Sequence, residues 1–130
     1  MILLDTHVVL WLAFDQARIS RKARAAIAEA RKNAGGLAIS DITLLEIATL
    51  AKKGRITLES TLETFLTEVE AKFAVLPITG RVCVKAMELP ALFPADPADR
   101  VIGATALVEG LALATADDAI RRSKAVNTIW

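Results

Sequence analysis

Apolar residues follow two rhythms along this chain, and the alternation between them sets the expected fold. Short, largely apolar runs at Met1–Leu4, Leu37–Ile39, Ala74–Leu76, Leu111–Thr115 and Val126–Trp130 read as five strands buried on both faces. Between them the spacing is helical. Thr6 to Phe14 is mostly apolar, and Ala23, Ala26, Ile27 and Ala30 recur at helical spacing after a Ser20 cap, with Gly35-Gly36 as the stop. Ser40 is placed to cap a helix reaching Lys53, which Gly54 ends. The stripe Leu62, Phe65, Leu66, Val69 and Phe73 predicts an amphipathic helix over 59–73, with Glu59, Glu63, Glu68 and Glu70 off the stripe. Thr79 opens a helix running to Leu89-Pro90, Asp96-Pro97 opens one ending at Gly110, and a short one spans Asp117 to Lys124. Apolar strands alternating with helices predict an α/β fold around a buried parallel sheet. Ligands of such sheets sit beyond the carboxyl ends of the strands.

Composition narrows the class. A chain of 130 residues that is 54% hydrophobic and 24% charged suits one compact domain, residues 1–130, and excludes disorder. Sixteen Lys and Arg against 15 Asp and Glu leave a formal charge of +1, so no global field argues for nucleic acid or membrane. Any such partner must be met by a local patch. Single Cys83 and single His7 exclude an internal disulfide and Cys- or His-rich metal sites, so a metal here must be held by oxygen. No targeting segment or bilayer-length apolar run is seen, and a reduced, cytoplasmic, soluble protein is the simplest expectation.

Four carboxylates sit where charge is costly. Asp5 interrupts the apolar residues at the end of the first strand, and Glu46 is the only charge between Ile42 and Ala51. Asp99 heads the uncharged helix body Val101–Val108, and Asp117 follows the strand Leu111–Thr115. Burying a carboxylate is expensive unless it is paired or binds a cation. If the four converge, each pair near 4 Å repels by about 4 kcal/mol at an effective dielectric of 20, and a divalent cation relieves this. With oxygen ligands alone, Mg²⁺ or Mn²⁺ fits better than zinc.

Plainer readings exist for each acid. Asp99 suits the third helical position behind an Asp96 cap, Asp117 and Asp118 suit the first turn of a helix, Asp5 suits a cap, and Glu46 suits a buried arginine. The coincidence of four at buried edges weighs more than any one. His7 reads as structural and Cys83, between Val82 and Val84, as a small core residue. Trp11, Phe14, Phe65, Phe73 and Phe93 read as core or interface. Basic residues cluster at Arg18, Arg21, Lys22, Arg24, Arg31 and Lys32, and again at Arg121, Arg122 and Lys124; solvated faces are the default. Arg100 differs, since next to Asp99 it is placed to reach a phosphate held at the metal. Phosphate-binding glycine loops and a G-x-S-x-G elbow are missing from the sequence.

These segments resemble the PIN domain, and within it the VapC-type toxins of toxin–antitoxin pairs. The likeness spans the chain. It rests on Leu4-Asp5-Thr6-His7 with Leu10-Trp11, on Ser40 through Leu45-Glu46-Ile47-Ala48, on Asp96-Pro97-Ala98-Asp99-Arg100 running into Ala104-Thr105-Ala106, and on Leu113-Ala114-Thr115-Ala116-Asp117. The resemblance implies a three-layer α/β/α domain with a central parallel sheet. It assigns the catalytic, metal-binding acids to Asp5, Glu46, Asp99 and Asp117, with Asp118 the alternative to Asp117, and supporting hydroxyls to Thr6 and Thr115. It implies a Mg²⁺- or Mn²⁺-dependent endoribonuclease in which Asp5 or Asp99 orients or deprotonates the attacking water. Implied partners are RNA, a cognate VapB-like antitoxin whose tail covers the acidic pocket, and a second copy of the chain.

Two other classes compete. A haloacid-dehalogenase-type phosphatase needs a second aspartate two positions after Asp5, where His7 stands. A catalytically inactive interaction module with the same fold would have less reason to hold all four acids.

Overall fold

A computed structural model of the protein describes residues 1–33 and 35–130. Its elements in chain order are β1 (Ile2–Leu4), α1 (Thr6–Phe14), α2 (Arg21–Lys32), β2 (Leu37–Ser40), α3 (Asp41–Lys52) and α4 (Leu62–Lys72). They continue with β3 (Ala74–Leu76), α5 (Gly80–Glu88), α6 (Pro97–Glu109), β4 (Leu113–Ala114), α7 (Asp118–Ser123) and β5 (Thr128–Ile129). A 3₁₀ turn, Gln16–Arg18, joins α1 to α2. Among the described residues no helix is long and apolar enough to cross a membrane.

The five strands form one parallel sheet in the order β3-β2-β1-β4-β5. Successive side chains of a strand point to opposite faces, and β1 uses both. Leu4 packs with Val8, Ile27, Ile39 and Ile47 on one side, and Leu3 with Phe93, Ile102, Leu113 and Ile120 on the other. Helices α1 and α2 thus cover one face while α6 and α7 cover the opposite one, giving the expected three layers. The chain leaves β1 toward β2 in one direction and reaches β4 on the other side. The crevice between β1 and β4, at the strands' carboxyl ends, is the topological switch point where such sheets bind ligands.

Local chemistry ends most elements where the sequence says. Ser20, Ser40, Thr61, Thr79 and Asp96 each accept a hydrogen bond from a backbone N–H of the following helix. Gly110 closes α6 in the left-handed conformation. Other bounds shift. Helix α4 begins at Leu62 and not at Glu59, because Thr61 supplies the cap. The expected strands 111–115 and 126–130 contract to the pairs that find partners, Leu113↔Thr128 and Ala114↔Ile129.

One side chain departs from expectation. Cys83 is exposed and not in the core. Val82 and Ala86, one turn apart, form the buried face of α5, and a step of one residue rotates Cys83 away from it. Phe14 is half exposed and stacks on Phe65 at 5.5 Å between ring centroids. Glycine at position 103 has a packing reason, since a Cβ there would lie 2.5 Å from Phe93 Cζ.

Candidate active site

Asp5 follows β1 directly, and its backbone N–H extends the ladder to Ala114 O at 3.0 Å. Its side chain is almost fully buried, at 4% exposure. Oδ1 accepts from the Thr6 N–H at 2.8 Å and caps α1, while Oδ2 accepts from Thr115 Oγ1 at 2.8 Å. The Thr115 oxygen also accepts from the Asp117 N–H at 3.1 Å. One hydroxyl therefore ties the acid after β1 to the acid after β4, across the switch point.

The second wall comes from α3. Thr6 Oγ1 donates to Glu46 Oε1 and lies 3.0 Å from Thr43 Oγ1. A hydroxyl has one proton, so with that of Thr6 on the glutamate, Thr43 is the donor in the pair. Thr43 escaped notice in the sequence. Its signal was position, three residues before the only charge between Ile42 and Ala51 and thus on the same face.

Asp99 completes the group from the first turn of α6. Asp96 Oδ2 takes the Asp99 N–H at 3.2 Å, so the cap is Asp96 and the Asp99 carboxyl has no capping duty. Its pKa is pushed up to about 7, by burial first and then by the charges of Asp5, Asp96, Asp117 and Glu46. Glu46 is raised as well, by burial, with the Thr6 hydrogen bond opposing and the charges of Asp5 and Asp96 adding. The charges of Asp5, Asp117 and Glu46 therefore reach Asp99, and that of Asp5 reaches Glu46. Asp96 joins their field, which capping alone did not suggest. Among the described residues, no three His, Cys, Asp or Glu side chains are gathered into a ready ligand set.

The neighbouring positions separate cleanly. Asp117 is half-buried and caps α7 through Oδ1 to the Ile120 N–H at 2.9 Å. Asp118 is exposed and pairs with Arg121 at 3.3 Å, so Asp117 is the member of the two that faces the other acids. Nε2 of His7 accepts from the Ala116 N–H at 2.9 Å, which assigns the proton to Nδ1, 3.7 Å from Asp5 Oδ2. Burial lowers its pKa below 6.5 against the charges of Asp5 and Asp117, keeping the ring neutral. This is the structural histidine the sequence suggested.

Arg100 is a correction. Its guanidinium, expected at a phosphate, donates to Ala86 O at 3.2 Å, Leu89 O at 3.5 Å and Phe93 O at 3.4 Å. The turn between α5 and α6 leaves carbonyls facing inward, and the arginine satisfies them. The hydroxyls of Thr6 and Thr115, by contrast, stand against the acids as expected.

The PIN-domain profile matches residues 2–125. Ribonuclease VapC22 of Mycobacterium tuberculosis (strain ATCC 25618 / H37Rv) is 37% identical over 131 residues, spanning 99% of this chain and 98% of that protein. VapBC2 from Rickettsia felis, bound to a DNA fragment from their promoter, matches with a TM-score of 0.73 at 16% identity, over 98% of this chain and 97% of that one. VapBC-1 from nontypeable Haemophilus influenzae matches with a TM-score of 0.72 at 18% identity, over 98% and 96%. At such identities the structural likeness speaks for the fold. The profile and the full-length relative go further: the chain belongs to the PIN-domain family and, within it, to the VapC-type toxins.

Proposed function

We propose that this protein is a Mg²⁺- or Mn²⁺-dependent endoribonuclease, the toxin of a toxin–antitoxin pair, which hydrolyses RNA phosphodiester bonds at Asp5, Glu46, Asp99 and Asp117. The reading is carried by the hydrogen-bonded frame that links Asp5 through Thr115 to Asp117 and through Thr6 to Glu46, beside an Asp99 whose pKa is pushed up to about 7 by burial first and then by the charges of Asp5, Asp96, Asp117 and Glu46. Repulsion of that kind is what a bound divalent cation removes. The donor types fit a hard ion, since the groups at hand are carboxylate and hydroxyl oxygens and the one imidazole Nε2 is committed to Ala116. The ribonuclease name of the full-length relative supports the same class of reaction.

Asp5, Glu46, Asp99 and Asp117 would hold the cation. When bound, it supplies Lewis acidity to the phosphodiester and to the attacking water. The protein's own work is orientation. Thr115 and the Thr6 N–H fix both oxygens of Asp5, and Thr6 with Thr43 fixes Glu46, so the acids wait at set positions. Hydrolysis forms a bond from the water oxygen to phosphorus and breaks one ester P–O bond. The water's proton passes to a carboxylate, Asp5 or Asp99. Structural neighbours that are VapBC complexes support an antitoxin partner; that its tail covers the acids, and that a second copy of the chain binds, are parts of the same proposal.

RNA cleavage is assayed with Mg²⁺, with EDTA and with Asp5→Asn. Cleavage lost to both the chelator and the substitution is expected. Cleavage indifferent to both overturns the reading. Metal-dependent release of phosphate from small phosphomonoesters without RNA cleavage would favour a phosphatase, and no hydrolysis at all an inactive module.

A further inference from the structure

Near Asp5 stands a cation, Arg18, that forms no salt bridge among the described residues. Arg18 ends the 3₁₀ turn after α1, and its guanidinium carbon lies 4.2 Å from the centroid of the Trp11 ring. Trp11 packs on His7 at 4.9 Å between centroids, and Trp130 lies 5.7 Å from Trp11. His7 reaches the pocket itself through Nδ1, 3.7 Å from Asp5 Oδ2. Two rings thus bridge the Arg18 charge and the buried acid. Among the described residues Arg18 forms no salt bridge, and it is exposed.

Stacking distinguishes this arginine from the other cations of its cluster. An exposed arginine ordinarily loses much rotamer freedom on binding an anion. Resting on an indole, the guanidinium has surrendered part of that freedom already, while its in-plane N–H donors stay open. Arg24 and Arg100 lack that capacity, because their guanidinium groups donate to backbone carbonyls. The charges of Asp5, Glu46, Asp99 and Asp117 also repel a polyanion, and a fixed cation beside them offsets that repulsion where the strand must approach.

We propose that Arg18, held on Trp11, is a substrate-binding residue that takes a phosphate of the RNA strand flanking the scissile bond, so that the strand enters over the His7–Trp11–Trp130 rim. The proposal rests on the ribonuclease reading and adds the direction from which substrate arrives.

Binding is measured by fluorescence anisotropy of a labelled single-stranded RNA oligonucleotide on Asp5→Asn protein across a salt series. Adding Arg18→Gln should weaken binding about tenfold and make the slope of log affinity against log salt shallower by about 0.7, the value of one phosphate contact on a single strand. In the cleaving protein the same substitution should raise KM about tenfold and leave kcat within about twofold. Arg18→Lys keeps the charge without the planar fork, so its salt slope should match the parent while KM rises less. Arg21→Gln, on the exposed face of α2, serves as the control. Thermal melts establish that each variant is folded. Unchanged affinity and slope in Arg18→Gln, an effect no larger than that of Arg21→Gln, or a fall in kcat at constant KM overturns the proposal. Failure of the parent protein to cleave any RNA strikes the ribonuclease reading instead, and the binding arm still reports on Arg18.

Discussion

Thr115 Oγ1 donates to Asp5 Oδ2 at 2.8 Å across 110 residues of sequence, a bond between the side chains of the two halves of the candidate site. It spans β1 and β4 where their carboxyl ends meet, and the same oxygen receives the Asp117 N–H. The position of the central acid therefore depends on a neutral hydroxyl.

Replacing that hydroxyl tests the dependence. Thr115→Val keeps the shape but leaves Asp5 Oδ2 and the Asp117 N–H without their partner. The expected loss is about 1–3 kcal/mol, seen as a lower urea midpoint at constant slope. Thr115→Ser should retain most of the stability. A valine variant as stable as the parent would show that the bond carries nothing.

Asp5→Asn separates charge from fold. The amide oxygen can still cap α1, so circular dichroism should be unchanged. RNA cleavage should fall by at least about 100-fold, in line with losing a positioned acid–base or charge-bearing group. Removing the Asp5 charge should also lower the Asp99 pKa, since Asp5 is the largest of the charges that raise it. Carbon-detected NMR titration of the Asp99 carboxyl measures that shift.

In metal-free protein, stability should fall as pH rises from about 4 toward and through about 7. Asp99 titrates at about 7 when folded against 3.8 when unconstrained, so the folded state binds the extra proton between those values. Glu46, also raised, pushes the same way. His7, lowered from 6.5, pushes the opposite way, losing stability as pH falls through its folded value. Asp99→Asn isolates the first contribution and should flatten the profile above its own His7 limb. Denaturant midpoints across pH give the answer, and a parent profile no steeper than the variant's would count against the Asp99 shift. Saturating Mg²⁺ should raise the parent's melting temperature most at high pH, where the acids are ionised.

Gly103→Ala should destabilise although alanine is the better helix former. The gain in propensity is about 1 kcal/mol, whereas forcing a methyl against the Phe93 ring costs about 1–3 kcal/mol. Because the clash is with one ring, Phe93→Leu should cost less in the alanine background than in the parent. Additive losses in the double-mutant cycle would deny the contact.

Much of this was readable beforehand. The five strands announced themselves as apolar runs, because a parallel sheet covered on both faces leaves no room for polar alternation. The caps announced themselves through Ser40, Thr79 and Asp96, since an orphan N–H wants an oxygen two or three residues back. Asp5 and Glu46 stood out as charges among apolar neighbours. Strand ends were less legible, because pairing decides them: β4 keeps only Leu113 and Ala114, the residues that have partners on both sides. Cys83 was misjudged from its valine neighbours, as only the direction of the α5 face tells which side is buried.

Local order along the chain determined which elements form, where the helices are capped, and that acids accumulate at strand ends and helix starts. These follow from side chains acting on their own backbone. Tertiary structure alone decided that Asp117 bonds to Thr115 while Asp118 pairs with Arg121 at the surface, that Thr43 backs Thr6, that Arg100 serves carbonyls and that Arg18 lies on Trp11. Each depends on the path of a distant segment, and hydrogen bonds and charges act through space with no regard for separation in sequence.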